Sequence, residues 1–245
     1  MSELIKPSNR ILAALPVNEY TRLLTKTEEV PLTYGETIYE RDEVIGYVYF
    51  PNSGVVSLVT QVAEGDVLEV GVVGNEGIIG LPVFLGVETS RNQAIVQGEG
   101  TALRIKTEDF FKACKPNGTL PKLLQRYTHA LLTQISQTVA CNRFHLIEQR
   151  LIYWLLVMHD RTQTDKFRIT QEFLSKMLGV RREAVNKSAA NLQQRNLIAY
   201  SRGIVSIINR AGLEAAACQC YLVLRKEYQK LAENLDELSR EKTLV

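Results

Sequence analysis

The most chemically specific pattern in the chain lies in residues 167–210, FRITQEFLSKMLGVRREAVNKSAANLQQRNLIAYSRGIVSIINR. Thr170 is a helix-capping type, and after it Phe173, Leu174, Met177 and Leu178 fall on one helical face. Gly179 then stands where a tight turn between two helices needs a residue tolerant of positive φ. A second helix from about Arg181 to Gln194 would bury Val185, Ala189 and Leu192. That leaves Arg181, Arg182, Glu183, Asn186 and Lys187 outward near its start. The two short β runs after it flank Ser201-Arg202-Gly203, a hairpin signal.

These residue types suit recognition of a duplex polyanion. An α-helix fits the major groove, where Arg can pair with both acceptors of guanine and Glu can accept from the amino group of cytosine. Lys187, Arg202 and helix-start amides would neutralise phosphates and fix the register. Thr170, Gln171 and Ser201 complete the set of expected contacts.

Other elements must position this segment. Residues 9–25 read as one or two short helices broken at Pro16. From Glu28 to Ile105, β-branched and aromatic runs alternate with turn residues about every ten positions, which suggests an all-β sandwich or barrel. A short helix over 107–115 follows, with Thr107 as its cap. From Leu120 to about Phe144 a long helix is expected, with Pro121 tolerated in its first turn. It shows two apolar stripes. One contains Leu124, Tyr127, Leu131, Gln134 and Thr138, and the other Leu132, Ile135, Val139, Asn142 and Leu146. Two faces want two partners: the β domain of the same chain, and the same helix of a second chain. The dimer contact is assigned to Leu124, Tyr127, Leu131, Gln134 and Thr138. A helix over 147–159 follows across a hinge at 144–147, where Leu146 offers no capping oxygen. From Gly212 the tail reads as one helix whose charged last turns are expected to fray.

Charge is distributed unevenly. Residues 1–118 carry 10 Lys/Arg against 16 Asp/Glu, whereas residues 161–210 carry 10 against 3. An acidic part joined to a basic part suggests that only the second meets a polyanion. The hydrophobic fraction of 45% supports two modest cores. The N-terminus lacks a signal-peptide core, and no apolar run approaches the ~20 residues of a membrane span. A cytoplasmic protein without membrane contact is expected. Cys114, Cys141, Cys218 and Cys220 form no C-x-x-C pair and read as reduced thiols. Cys218 and Cys220, two apart on one helix, would face different ways. No metal site is expected. A cupin-type enzyme needs several His inside the barrel, but His129, His145 and His159 all lie outside it, and no catalytic motif is present. No enzymatic activity is expected. The remaining alternative is a small-ligand sensor whose winged helix docks a protein partner.

The chain as a whole resembles the Crp/Fnr family of bacterial transcription regulators. ITQEFLSKMLGVRREAVNKSAANLQQRNLI resembles the family's helix-turn-helix, with Arg182 and Glu183 on its base-reading pair and Lys187 on its next basic contact. The resemblance implies an α+β fold: a double-stranded β-helix (jelly-roll) sensor domain over 1–118, a dimerisation helix and hinge over 119–146, and a winged helix-turn-helix with a helical tail over 147–245. It implies a homodimer on a two-fold symmetric site in double-stranded DNA, a small-molecule effector, and RNA polymerase as a further partner. The effector pocket would involve Gly80, Leu81, Pro82, Arg91, Asn92, Gln93, Ile135 and Ser136. Members that bind cyclic AMP carry Gly-Glu-Leu and Arg-Ser where this chain has Gly80-Leu81-Pro82 and Asn92-Gln93, so cyclic AMP is not expected. No iron–sulfur or haem ligand set is present in the roll. GNEGIIGLPVFLG (74–86) and CNRFHLIEQRLIYWLLVMHDR (141–161) resemble a group within the family whose signal the sequence does not name.

Overall fold

The computed structural model describes residues 7–63 and 66–240. Helices α1 (Arg10–Ala13) and α2 (Val17–Leu24) precede strands β1 (Thr27–Leu32), β2 (Thr37–Tyr39), β3 (Tyr47–Pro51), β4 (Val55–Ala63) and β5 (Asp66–Val73). Helix α3 (Leu81–Phe84), strands β6 (Asn92–Gly98) and β7 (Gly100–Lys106), and helix α4 (Thr107–Ala113) complete this part. The strands form two antiparallel sheets, ordered β1-β7-β3 and β2-β6-β4-β5, the jelly roll expected from the sequence. Pro31 is accommodated because β1 is an edge strand, paired on one side only. Thr107 is not the cap of α4. Lys106 holds that position, and the Thr107 hydroxyl donates instead to Ile45 O at 2.5 Å, tying the helix to the roll.

Helix α5 (Thr119–Phe144) follows, then α6 (Ile147–Thr162), strand β8 (Lys166–Arg168), helices α7 (Gln171–Leu178) and α8 (Arg182–Gln194), strands β9 (Ile198–Ser201) and β10 (Ile204–Ile207), and helices α9 (Arg210–Ala216) and α10 (Gln219–Arg240). Glu19 of α2 caps α5 from outside: its carboxylate accepts from Thr119 N at 3.1 Å and from the Thr119 hydroxyl at 3.0 Å. The missing cap at Leu146 does not let α5 run on. His145 and Leu146 are extended, and the Gln149 side chain accepts from Leu146 N at 3.2 Å. The tail is not one helix, because extended Ala217 breaks it into α9 and α10. Helix α10 extends to Arg240, and the rest of the charged tail expected to fray, 241–245, lies outside the described residues.

The expected dimer stripe on α5 is corrected. Leu124 and Tyr127 are fully buried, Leu131 and Gln134 nearly so, all within the chain's own core. Thr138 is half-buried and pairs with the Tyr153 hydroxyl at 3.3 Å. The reason is a third partner that periodicity does not reveal. Helix α10 folds back along α5, where Tyr228 donates to Gln134 Oε1, Arg126 donates to Asn234 O, and Glu227 pairs with His129. Roll and α10 together take the first stripe. What remains open is the second stripe, where Leu132 is 58% and Val139 61% exposed.

Two apolar clusters interlock. One joins the roll, α1, α2 and the first half of α5 to Leu231 and Leu235 of α10. The other joins α6–α10 to Val55 and Val72 of the roll. Polar groups mark the seam. Glu76, in the β5–α3 loop, pairs with Arg161 of α6 at 3.2 Å, both side chains being at most 10% exposed. The Arg161 guanidinium sits 4.5 Å from the centre of the Tyr228 ring. Gly77 is required beside it: a Cβ there would lie 2.3 Å from the Tyr127 ring.

On β5, buried Glu69 accepts from the Ser57 hydroxyl at 2.5 Å and from Gln97 Nε2 at 2.9 Å. Burial pushes its carboxyl up to about 7, against the opposing pull of those hydrogen bonds and of Arg161. The folded state therefore holds this proton longer than the unfolded chain does. The resulting stability is complete below the ordinary carboxylate value of 4.5 and declines as pH rises to about 7. The size of the shift corresponds to roughly 3 kcal/mol. Glu69→Gln should remove this decline. Calorimetric melting of wild type between about pH 5 and pH 8 should show a steeper fall in Tm than the variant, and equal slopes would exclude Glu69 as the source.

Candidate nucleic-acid interface

Thr170 caps α7 as expected, its hydroxyl accepting from Phe173 N at 3.1 Å. Gly179 ends the helix at φ +59°, and a Cβ there would lie 3.0 Å from Leu68 Cδ1, so the turn lies close against β5 of the roll. Arg150 of α6 fixes the same turn by donating to Leu178 O. Helix α8 then starts with extended Arg181 and no side-chain cap, which leaves its first amides without a side-chain acceptor. Val185, Ala189 and Leu192 are buried, as is Ser188. Burying that face aims the others outward.

Arg181, Arg182, Glu183 and Lys187 are exposed together at the start of α8. Asn186 differs from the expectation: it is half-buried, and its Oδ1 is enclosed without a hydrogen-bond partner. At the hairpin, Arg202 (φ +50°) and Gly203 (φ +75°) form the two-residue turn with both central residues left-handed that suits twisted strands. Ser201 and Arg202 are exposed at its tip. Tyr200 anchors the wing. Its N donates to Gln193 Oε1 at 2.9 Å and its hydroxyl to Ile169 O at 2.8 Å. Gln171, the first residue of α7, is half-buried, and Thr170 is exposed.

The sequence reading missed β8, which joins the wing as the edge of a β8-β10-β9 sheet. It brings exposed Lys166 and Arg168 alongside. Three residues are too few to display strand alternation, and only the basic composition of the stretch could have signalled them.

The expected effector residues do not converge in the same way. Gly80 caps α3 at φ +97°, Leu81 is buried and Pro82 half-buried. Arg91 is 87% exposed and pairs with Asp42 at 3.1 Å, away from the roll interior. Gln93 donates to Glu40 at 2.7 Å, and Asn92 N to the Ser90 hydroxyl at 3.0 Å. On α5, Ile135 is half-buried, while exposed Ser136 bonds to its own helix at Leu132 O. Neighbouring carboxylates hold the Arg91 and Gln93 side chains, and the Ser136 hydroxyl is held by its own helix.

Residues 29–117 match the cyclic nucleotide-binding domain family, and residues 149–216 match the Crp-like helix-turn-helix domain family. No curated protein matches the sequence. The fold is shared with FixK2 of Bradyrhizobium japonicum, at 17% identity over 78% of this chain and 98% of that one, with a TM-score of 0.66. It is shared also with a CRP-family transcriptional regulator of Thermus thermophilus, TTHB099, at 20% identity over 77% and 96%, with a TM-score of 0.65. The c-di-GMP-responsive global regulator CLP of Xanthomonas campestris aligns at 16% identity over 78% and 99%, with a TM-score of 0.60. A β-roll of the cyclic nucleotide-binding type joined to a winged helix defines a DNA-binding transcription regulator with a sensory domain. The chain belongs to the Crp/Fnr family of transcription regulators. Among the described residues no helix is long and apolar enough to cross a membrane.

Two substitutions separate base reading from phosphate contact. Arg182→Ala should lose ~1–3 kcal/mol of binding at one base position per half-site and relax specificity there. Lys187→Ala should weaken all duplexes alike and lower the salt slope by about one. Anisotropy titrations of single-base operator variants at several salt concentrations read both effects. Unchanged specificity in the Arg182 variant would move base reading to another residue.

Proposed function

We propose that the protein reads a two-fold symmetric DNA site as a homodimer, with Arg181, Arg182, Glu183 and Lys187 entering the major groove and Arg202 holding the flanking backbone. The observation that carries this reading is the joint exposure of those side chains on a helix whose opposite face is buried. Selection from random duplex DNA tests it: a palindromic consensus is the expected product, and a featureless one would remove sequence-specific binding.

The second copy docks on the open stripe of α5. Leu132 and Val139 lie seven residues apart on one face, and exposed Leu146 continues the strip past the helix end. The strip is apolar and unoccupied by the chain's own packing, which is what a self-complementary two-fold contact needs. The effector is not cyclic AMP: apolar Leu81 stands at the ribose position, and Arg91 is committed to Asp42. The protein acts in the cytoplasm, as a regulator and not as an enzyme, with RNA polymerase as a further partner.

Leu132→Glu combined with Val139→Glu should give a monomer in sedimentation while leaving the melting profile close to wild type. Leu131→Ala, on the inward face, should instead cost about 2–5 kcal/mol of stability without changing the oligomer. A double variant that still sediments as a dimer would place the contact elsewhere.

A further inference from the structure

Three chain segments deliver four soft ligand atoms to one point beside the hinge. Cys141 lies near the end of α5, and His145, one turn later, is the residue that closes that helix. Cys218 occupies the two-residue link between α9 and α10, and Cys220 the first turn of α10. The break at Ala217 overturns the expectation that Cys218 and Cys220 diverge: they are not on one continuous helix, so both thiols can turn inward. Cys141 Sγ is 3.7 Å from Cys218 Sγ, and Cys220 Sγ is 3.6 Å from His145 Nδ1. All four ligand atoms lie within 4.8 Å of one another, and the three thiols are buried.

Two of those separations match the edges of a tetrahedron around a single ion, and the remaining four fall within 4.8 Å. Arms of about 2.3 Å to sulfur and about 2.0 Å to nitrogen give S–S edges of about 3.8 Å and S–N edges of about 3.5 Å. An iron–sulfur cluster would spread its thiolates over different irons, wider than 4.8 Å. Magnesium and calcium prefer oxygen donors. A Cys141–Cys218 disulfide would leave Cys220 and His145 facing each other without purpose.

We propose that Cys141, His145, Cys218 and Cys220 form a closed tetrahedral Cys₃His site for one zinc ion, which pins the α5–α6 hinge to the α9–α10 junction. On binding, the three thiols release their protons to solvent and His145 ligates as neutral imidazole. The site then carries one net negative charge. Arg150, which lines the same small cavity as Cys141, is placed to balance it. Because Arg150 also donates to Leu178 O, the site is linked to the turn before the reading helix. Loss of zinc loosens the angle between α5 and the winged helix.

The test uses the full chain, purified anaerobically with reductant and measured by elemental mass spectrometry and by Co(II) replacement. One zinc per chain is expected, together with a cobalt form showing thiolate charge-transfer and tetrahedral d–d bands. Cys220→Ser should reduce metal affinity by at least about tenfold, while Cys114→Ser, outside the cluster, should leave it unchanged. Because the Cys220 variant can fail by unfolding, the cobalt spectrum of the unaltered protein stands as an independent arm. Wild type that stays metal-free after reconstitution, an octahedral cobalt spectrum, iron with stoichiometric sulfide, a Cys141–Cys218 disulfide in the fresh protein, or equal loss in the Cys114 variant would each overturn the proposal. Metal content is read without DNA, so its outcome is separate from that of the DNA-binding reading.

Discussion

The architecture turns on one buried ion pair. Glu76 sits in the loop after β5, and Arg161 in the last turn of α6, so their contact fastens the roll to the winged domain. Desolvating both groups costs several kcal/mol per ion and is offset only when the geometry is good and neighbours complete it. Here they do. Gly74 N donates to Glu76 at 3.1 Å, and the Tyr228 ring covers the guanidinium. Burial works against the charge on Arg161, and Glu76 together with Tyr228, Tyr153 and Asp160 outweighs it, leaving the guanidinium firmly protonated. Because Tyr228 belongs to α10, the same contact also draws the C-terminal helix into the seam. The three parts therefore meet at a single charged point.

That point explains why α5 presents only one free strip. A helix with its first stripe against the roll can offer the opposite side to a second chain, as periodicity alone suggests. Once α10 is held beside it, part of the remaining circumference is occupied, and Gln134 becomes a junction between Val72 N and the Tyr228 hydroxyl. A polar side chain in that position favours one register of α5 against the sheet, since any slip would leave its amide buried without partners.

Composition and period made much of this legible in the sequence. The strands of the roll, the capped α7, the Gly179 turn and the outward Arg181-Arg182-Glu183 start all follow from local rules, and local rules suffice where one face is simply buried. They failed where the outcome depends on segments distant in sequence. Leu124 and Leu132 look equally apolar, and only the return of α10 decides which one meets solvent. Glu76 reads as an ordinary turn residue until Arg161, far along the chain, is brought beneath it. The break at Ala217 has no glycine or proline to announce it.

The polar groups of the seam share a physical character that bears on how the roll could influence the winged helix. Glu69, Glu76 and Gln134 lie on the contact surface between the two apolar clusters, and each is buried with partners drawn from several elements. Apolar contacts slide at small cost, whereas a buried carboxylate that loses its donors pays the full desolvation penalty. A seam built this way resists gradual deformation and favours a small number of discrete alignments. The turn at Gly179, held by Leu68 of the roll on one side and by Arg150 on the other, is the part of the reading head closest to that seam. A change in the roll that moves β5 therefore acts on the start of α8 directly, through side chains in contact, and requires no slack hinge to carry it.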